Sequence, residues 1–311
     1  MSAPTNEVLL SVKNLSVCYK LGRKRMFAVS DVSFDIMKGE TFSLVGESGS
    51  GKTTIGRAIM KIVPTHSGEI LFQGKSVNRR MSGAELRQFR QQAQMIFQDP
   101  IASLNERAKV DYIVSEGLSS LHLCNSEAER QSRVKKAMEE VGLHYEFVSR
   151  FPHEFSGGQR QRIGIARSLV MDPGFVIADE PISSLDVSIR AQIINLLNDL
   201  KRDRGLTYLF IAHDLSVVKF ISDRVAVIYQ GKIVELANSD DLFKNPLHPY
   251  TKSLLSAVPN PDPDVARLKS FEKYDPSMHA YATDKPSWSK VAEGHFVWAN
   301  EQELEGYKRL V

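Results

Sequence analysis

Cysteine is nearly missing from this chain. Its 311 residues include two, Cys18 and Cys124, far apart and without metal-ligand spacing. That count gives no disulfide framework and suits a reducing compartment. Long apolar runs are missing as well: the longest, around residues 175–178 and 208–212, are strand-sized and much too short to cross a bilayer. The first seven residues, Met1 to Glu7, lack a basic patch followed by an apolar core, so no secretory signal is expected. Charge of one sign is scarce. A formal net charge of +3 is too small to argue for nucleic acid or an acidic surface, and the basic runs at 20–25 and Arg79-Arg80 read as solvated faces. No internal repeat is visible. A soluble chain is expected, with any membrane role borrowed from a partner.

What remains is ordinary globular material, 42% hydrophobic and 25% charged, long enough for one large α/β domain with an appendage or for two small domains. The first forty residues alternate as strands, at 8–12, 15–19 and 32–36, and predict an antiparallel sheet. Residues 41–45 form an apolar strand running into a glycine loop, with a helix at 53–62 behind it. Residues 67–74 read as a strand bounded by glycines. From about 99 to 172 the pattern is helical. Ser126 and Glu129 have capping-box spacing, placing Val134, Ala137, Met138 and Val141 on one helix face. A second helix starts at Ser156 and buries Ile163, Ile165, Ala166, Leu169 and Val170 before Pro173 stops it. Strands and helices then alternate through about residue 235, the mark of a parallel sheet with crossover helices. Beyond Glu235 prolines punctuate the chain and the final fifty residues lack clear periodicity.

Gly46-Glu47-Ser48-Gly49-Ser50-Gly51-Lys52-Thr53 fits G-x-x-x-x-G-K-[S/T] in full. Glycines let successive backbone N–H groups turn toward phosphate oxygens, and the following helix adds its positive end. That dipole is only about half a charge, so Lys52 and a Mg²⁺ held by Thr53 must supply the rest. Such a match arises by chance in roughly one per cent of chains this long, which disfavours an incidental glycine turn. Residues 175–178 lead an apolar strand into two carboxylates, Asp179 and Glu180. Phe155-Ser156-Gly157-Gly158-Gln159 opens a helix with unpaired N–H groups offered to an anion.

Together these motifs resemble the ATP-binding-cassette (ABC) ATPases over about residues 8–260. The resemblance implies an α/β fold: a P-loop NTPase core of mostly parallel sheet with flanking helices, an N-terminal antiparallel β-subdomain and an inserted α-helical subdomain. An ATPase domain is expected at 1–259, its helical subdomain at about 99–172, and a proline-containing extension at 260–311. ATP and Mg²⁺ are the implied cofactors. The loop from Gly46 to Thr53 and the adjoining Thr54 would bind nucleotide, Tyr19 would stack on adenine, and Thr53, Gln98 and Asp179 would serve Mg²⁺. Glu180 would polarise the attacking water, with Gln98 touching metal or water and His213 contacting the γ-phosphate. Ser156, Gly157, Gly158, Gln159 and Asp186 would act across a dimer interface on the neighbour's ATP. The family usually has leucine before Ser156; Phe155 stands there, in a position expected to pack inward.

The segment from Asn245 to Leu255, with Pro259-Asn260-Pro261, is similar to the oligopeptide/dipeptide/nickel importer subfamily. Many of its members carry a cysteine cluster in the tail that holds an iron–sulfur centre. No cysteine follows Cys124, so that centre is not expected. The implied function is the ATP-hydrolysing subunit of an importer for peptides or related small solutes. Implied partners are a second ATPase subunit, like or unlike, transmembrane permeases and indirectly a solute-binding protein, with no nucleic acid; the implied location is peripheral, on the cytoplasmic face of the inner membrane. Alternatives are a sugar or opine importer, or a soluble ABC mechanoenzyme. Against the sugar branch, fifty proline-broken residues are too few for an appended β-barrel; against repair mechanoenzymes, Lys52 and Asp179 leave room only for a small helical insertion.

Overall fold

The computed structural model of the chain describes residues 7–22, 24–258 and 273–310, grouped in two compact units. Glu7, Met37–Gly39 and Arg79–Phe210 make the first; Val8–Ile36, Glu40–Asn78 and the described residues from Ile211 onward make the second. Arg23 of the basic run, the boundary expected near Pro259 and the Pro259-Asn260-Pro261 segment lie outside the described residues.

The strands, in chain order, are β1 (Val8–Leu21), β2 (Lys24–Met37), β3 (Thr41–Val45), β4 (Ser67–Phe72), β5 (Lys75–Ser76), β6 (Ala93–Ile96), β7 (Phe175–Asp179), β8 (Thr207–Ala212), β9 (Arg224–Tyr229), β10 (Lys232–Asn238), β11 (Ser287–Ala292) and β12 (His295–Ala299). Among the described residues the α-helices are α1 (Lys52–Ile59), α2 (Gly83–Gln92), α3 (Pro100–Ser103), α4 (Val110–Ser120), α5 (Glu127–Glu140), α6 (Gly157–Leu169), α7 (Val187–Arg204), α8 (Leu215–Ile221), α9 (Ser239–Lys244), α10 (Pro249–Ser256) and a last helix, Glu301–Lys308.

In the second unit an antiparallel sheet runs β2-β1-β4-β5. The strands expected separately at 8–12 and 15–19 are one strand. Its register with β4 shifts between Lys13 and Ser16, around Asn14 at φ 49°. Asparagine tolerates this left-handed conformation better than most residues, and the bulge is pinned where Asn14 N donates to Ser33 Oγ at 2.8 Å and Asn14 Nδ2 to Asp31 Oδ1 at 2.9 Å. Beside it, strands run β11-β12-β10-β9-β3. β3 and β9 are parallel, while β9, β10, β12 and β11 pair antiparallel in turn. β3 is buried at every residue, as a strand covered on both faces must be. Residues 287–299, for which no period was apparent, thus form a hairpin built onto β10.

The first unit contains the strand order β8-β7-β6, with β6 and β7 parallel. Its helices α4, α5 and α6 pack on one another, and Val134, Ala137 and Met138 of α5 and Ile163, Ile165 and Ala166 of α6 are buried. Ser126 caps α5, its hydroxyl accepting from Glu129 N at 3.2 Å. The helix α2, which the sequence reading passed over, starts in a full capping box between Ser82 and Glu85; Ser-x-x-Glu was the available signal. The fold is α/β, an antiparallel N-terminal sheet with a parallel-rich layer and a helical insertion.

Candidate functional site

In parallel α/β layers, ligands gather at the carboxyl ends of the strands. Four such ends carry the residues singled out above: β3 runs into Gly46, β6 is followed by Gln98, β7 ends at Asp179 before Glu180, and β8 is followed by His213.

In the second unit the loop from Gly46 to Thr53 is folded around its own lysine. Gly51, at φ 107°, would place a Cβ 2.4 Å from Ala28 O, and a Cβ on Gly46 would lie 2.2 Å from Ile228 O. Neither position admits a side chain. Gly51 is also the N-cap of α1 and brings no side chain to compete for that helix's first N–H groups. Lys52 is 4% exposed. A buried ammonium needs acceptors, and Nζ donates to Gly46 O and Glu47 O, both at 2.7 Å. Gly231 N donates to Ser50 O at 2.9 Å and ties the loop to the β9–β10 turn. Ser48 and Gly49 are exposed at the loop's tip, and Thr53 and Thr54 are half-buried. Tyr19 is half-buried, its hydroxyl 3.4 Å from Thr54 Oγ1; the sequence order alone did not reveal that contact.

In the first unit, β7 carries Asp179, 1% exposed, at its end. Glu180 follows at φ 45°. A glutamate held in the left-handed region stores backbone strain of order 1–3 kcal/mol, a cost that concentrates at functional positions. The turn is held where Ser183 Oγ donates to Glu180 O at 3.1 Å. Gln98, exposed after β6, donates from Nε2 to Glu180 Oε2 at 3.0 Å, so the two expected water-handling side chains are brought together.

The Ser156 turn is also in the first unit. Phe155 packs inward as expected, 5% exposed and edge-on to Phe147 at 5.9 Å. Ser156 and Gln159 form a capping box: Gln159 N donates to Ser156 Oγ at 3.3 Å and Ser156 N to Gln159 Oε1 at 3.0 Å. Ser156 and Gly157 face solvent. A Cβ on Gly158 would lie 2.7 Å from Ile189 Cγ2, so this turn packs against the start of α7, whose exposed N-cap is Asp186. His213, expected to contact the γ-phosphate, is exposed just beyond the end of β8.

The sequence reading missed a polar cluster in the second unit. Glu235 of β10, 0% exposed, accepts from Leu247 N at 2.8 Å and His248 N at 3.0 Å, and His295 Nε2 lies 2.8 Å from its Oε1. His248 caps α10, its Nδ1 accepting from Tyr250 N at 3.1 Å. Burial, reinforced by nearby His279, pushes the His248 imidazole down to about 3. The unfolded chain takes up that proton near pH 6.5 and the folded chain resists it to about 3. Stability is therefore full above about pH 6.5 and falls as pH drops toward 3, by up to about 1.4 kcal/mol per pH unit. Denaturant unfolding at pH 7.5 and 5.5 should show the fall. In His248→Asn, which keeps a capping oxygen, it should shrink; an unchanged slope would assign it to other groups.

Two family models match the chain: "ABC transporter" over residues 29–183 and "Oligopeptide/dipeptide transporter, C-terminal region" over residues 234–286. Among curated relatives, the oligopeptide transport ATP-binding protein OppF of Streptococcus pyogenes serotype M1 is 60% identical over 98% of this chain and 99% of its own length. The dipeptide transport ATP-binding protein DppF of Lactococcus lactis subsp. cremoris is 53% identical, covering 97% of each chain. Among solved structures, the ATP-binding cassette MJ0796, as a dimer in a post-hydrolysis state bound to ADP and Pi, superposes with a TM-score of 0.67 at 28% identity, over 74% of this chain and 98% of its own. With the phosphate loop, the strand-end carboxylates and the Ser-Gly-Gly-Gln turn all in place, the chain belongs to the ABC transporter family of ATPases, in the branch of oligopeptide and dipeptide transport ATP-binding proteins.

Proposed function

We propose that this chain hydrolyses ATP to drive uptake of oligopeptides or dipeptides through partner transmembrane permeases, paired with a second ATP-binding subunit and fed by a solute-binding protein. It would work peripherally, at the cytoplasmic face of the membrane; no described helix is long and apolar enough to cross it. The observation that carries the catalytic part is the Gln98–Glu180 contact at 3.0 Å on a backbone strained at Glu180, which aims a base beside the buried Asp179. The relatives are peptide-transport proteins, so the sugar, opine and mechanoenzyme alternatives are set aside.

Glycines at 46 and 51, where a Cβ would strike a backbone carbonyl, let the loop close on Lys52, and that lysine with the exposed tip at Ser48 and Gly49 suits a polyphosphate. The family resemblance assigns Mg²⁺ to the oxygens of Thr53, Gln98 and Asp179, which would hold it. Mg²⁺, when bound with ATP, neutralises phosphate charge. Lys52 and the loop N–H groups of Ser48, Gly49, Ser50, Gly51, Thr53 and Thr54 hold the phosphates, and Tyr19 stacks on the base. Glu180 takes the proton of the attacking water that Gln98 helps to orient, and His213 holds the γ-phosphate. Ser156, Gly157, Gly158, Gln159 and Asp186 serve the nucleotide of the neighbouring subunit.

Reconstitution with oligopeptide permease subunits tests the transport claim. ATP-dependent uptake of a labelled oligopeptide should require this chain, and uptake of a sugar without peptide would overturn it. The dimer claim has a separate test. Ser156→Arg fills the exposed helix start with a cation-bearing chain. ATP binding to the monomer should stay within about twofold, the range expected for a surface change away from the loop, while ATP-driven dimerisation on a sizing column disappears. Dimerisation at the parent level would refute the shared clamp.

A further inference from the structure

The second unit carries a contact that the family motifs do not account for. Glu47, the second residue of the phosphate loop, donates its backbone N–H to Tyr250 Oη at 3.0 Å. Its carbonyl is one of the two acceptors that hold Lys52 Nζ at 2.7 Å. One peptide residue thus joins the tyrosine to the loop lysine.

Tyr250 is fixed from several sides. It is 1% exposed, with its ring 4.5 Å from Tyr229 and 5.4 Å from Tyr274. Its own N–H caps onto His248 Nδ1, and His248 N is held by Glu235, which His295 of the C-terminal hairpin also meets. An aromatic ring on two χ angles, packed among other rings, loses little further entropy on holding its hydroxyl in place. The hydroxyl stays protonated through the physiological range, because burial raises it to about 12, and a neutral phenol oxygen accepts from an amide without placing an anion beside the phosphates. The chain of contacts from β12 through Glu235, His248 and Tyr250 ends on the loop.

We propose that Tyr250 is a positioning residue for the ATP phosphate loop, through which the C-terminal segment sets the loop's readiness to bind nucleotide. The proposal rests on the reading of residues 46–53 as the ATP site. Tyr250 touches the loop backbone and is assigned no contact with the reacting atoms, so its effect falls on binding.

Tyr250→Phe removes the hydroxyl and keeps the ring. In the full chain, the Kd for ATP without Mg²⁺ should rise roughly five- to tenfold, the size of one net hydrogen bond. In the assembled transporter the KM for ATP should rise by a similar factor with kcat within about twofold. Tyr274→Phe, which keeps the ring packing and makes no loop contact, is the control and should leave KM unchanged. A purely structural role predicts lowered melting temperatures for both variants with KM unmoved; that result, or a Kd within twofold of the parent for Tyr250→Phe, overturns the proposal. Amide exchange in the parent keeps the question decidable if the variant does not fold: the Glu47 amide should be protected, and rapid exchange there would overturn the contact. Lys52→Ala separates the two claims. If it binds ATP like the parent, the loop is not the site and both readings fall. If it loses ATP while Tyr250→Phe behaves as parent, only the tyrosine's role falls.

Discussion

Glu180→Gln should cut steady-state ATP hydrolysis by roughly 10²–10⁴-fold, the range for loss of a positioned general base, while ATP binding stays within about twofold. The substitution is nearly isosteric. The new amide oxygen can still accept from Gln98 Nε2, which now donates to Glu180 Oε2 at 3.0 Å, so the local geometry is retained. What disappears is the ability to take a proton from water. The backbone at φ 45° carries the same strain for either side chain, and stability should change by less than about 1 kcal/mol. The measurement is phosphate release beside equilibrium binding of ATP. A variant retaining more than a tenth of parental turnover would show that Glu180 is not the base and would shift attention to His213.

Lys52→Ala should weaken ATP binding by at least about 100-fold, equivalent to roughly 2.7 kcal/mol. On the proposed reading the lysine would offer charge-assisted hydrogen bonds to phosphate oxygens, each contributing roughly 1.5–3 kcal/mol. It is also the donor on which Gly46 O and Glu47 O close. Alanine therefore removes the cation and loosens the loop. Titration with a fluorescent ATP analogue measures the loss directly, and peptide uptake should disappear with it. Affinity within tenfold of the parent would mean that the phosphates are held elsewhere.

The motifs were readable because they are locally encoded. A glycine forced by a neighbour 2.4 Å away at Gly51, a lysine that must find acceptors, and an apolar strand ending in two carboxylates leave their signature in consecutive residues. Helices α5 and α6 were readable for a related reason: an N-cap at Ser126, a capping box at Ser156 and a 3.6-residue apolar period are short-range properties. The hairpin at 287–299 was not readable. β11 is half-exposed, and β12 alternates in burial while its residue types do not: His295 takes a buried place and Phe296 and Trp298 the half-buried ones. The split of β1 into two expected strands came from the polar residues at Lys13 and Asn14, which suit a turn and a bulge equally well.

By itself the sequence determined the glycine loop, the strand-end carboxylates and the Ser-Gly-Gly-Gln turn, and which family the chain resembles, since those depend on residue type at fixed short spacing. Tertiary structure alone decided that Tyr250 reaches the Glu47 amide 203 positions away and that His295 meets Glu235 across 60. Strand order and register bring such residues together, and neither leaves a trace in the local pattern of the chain.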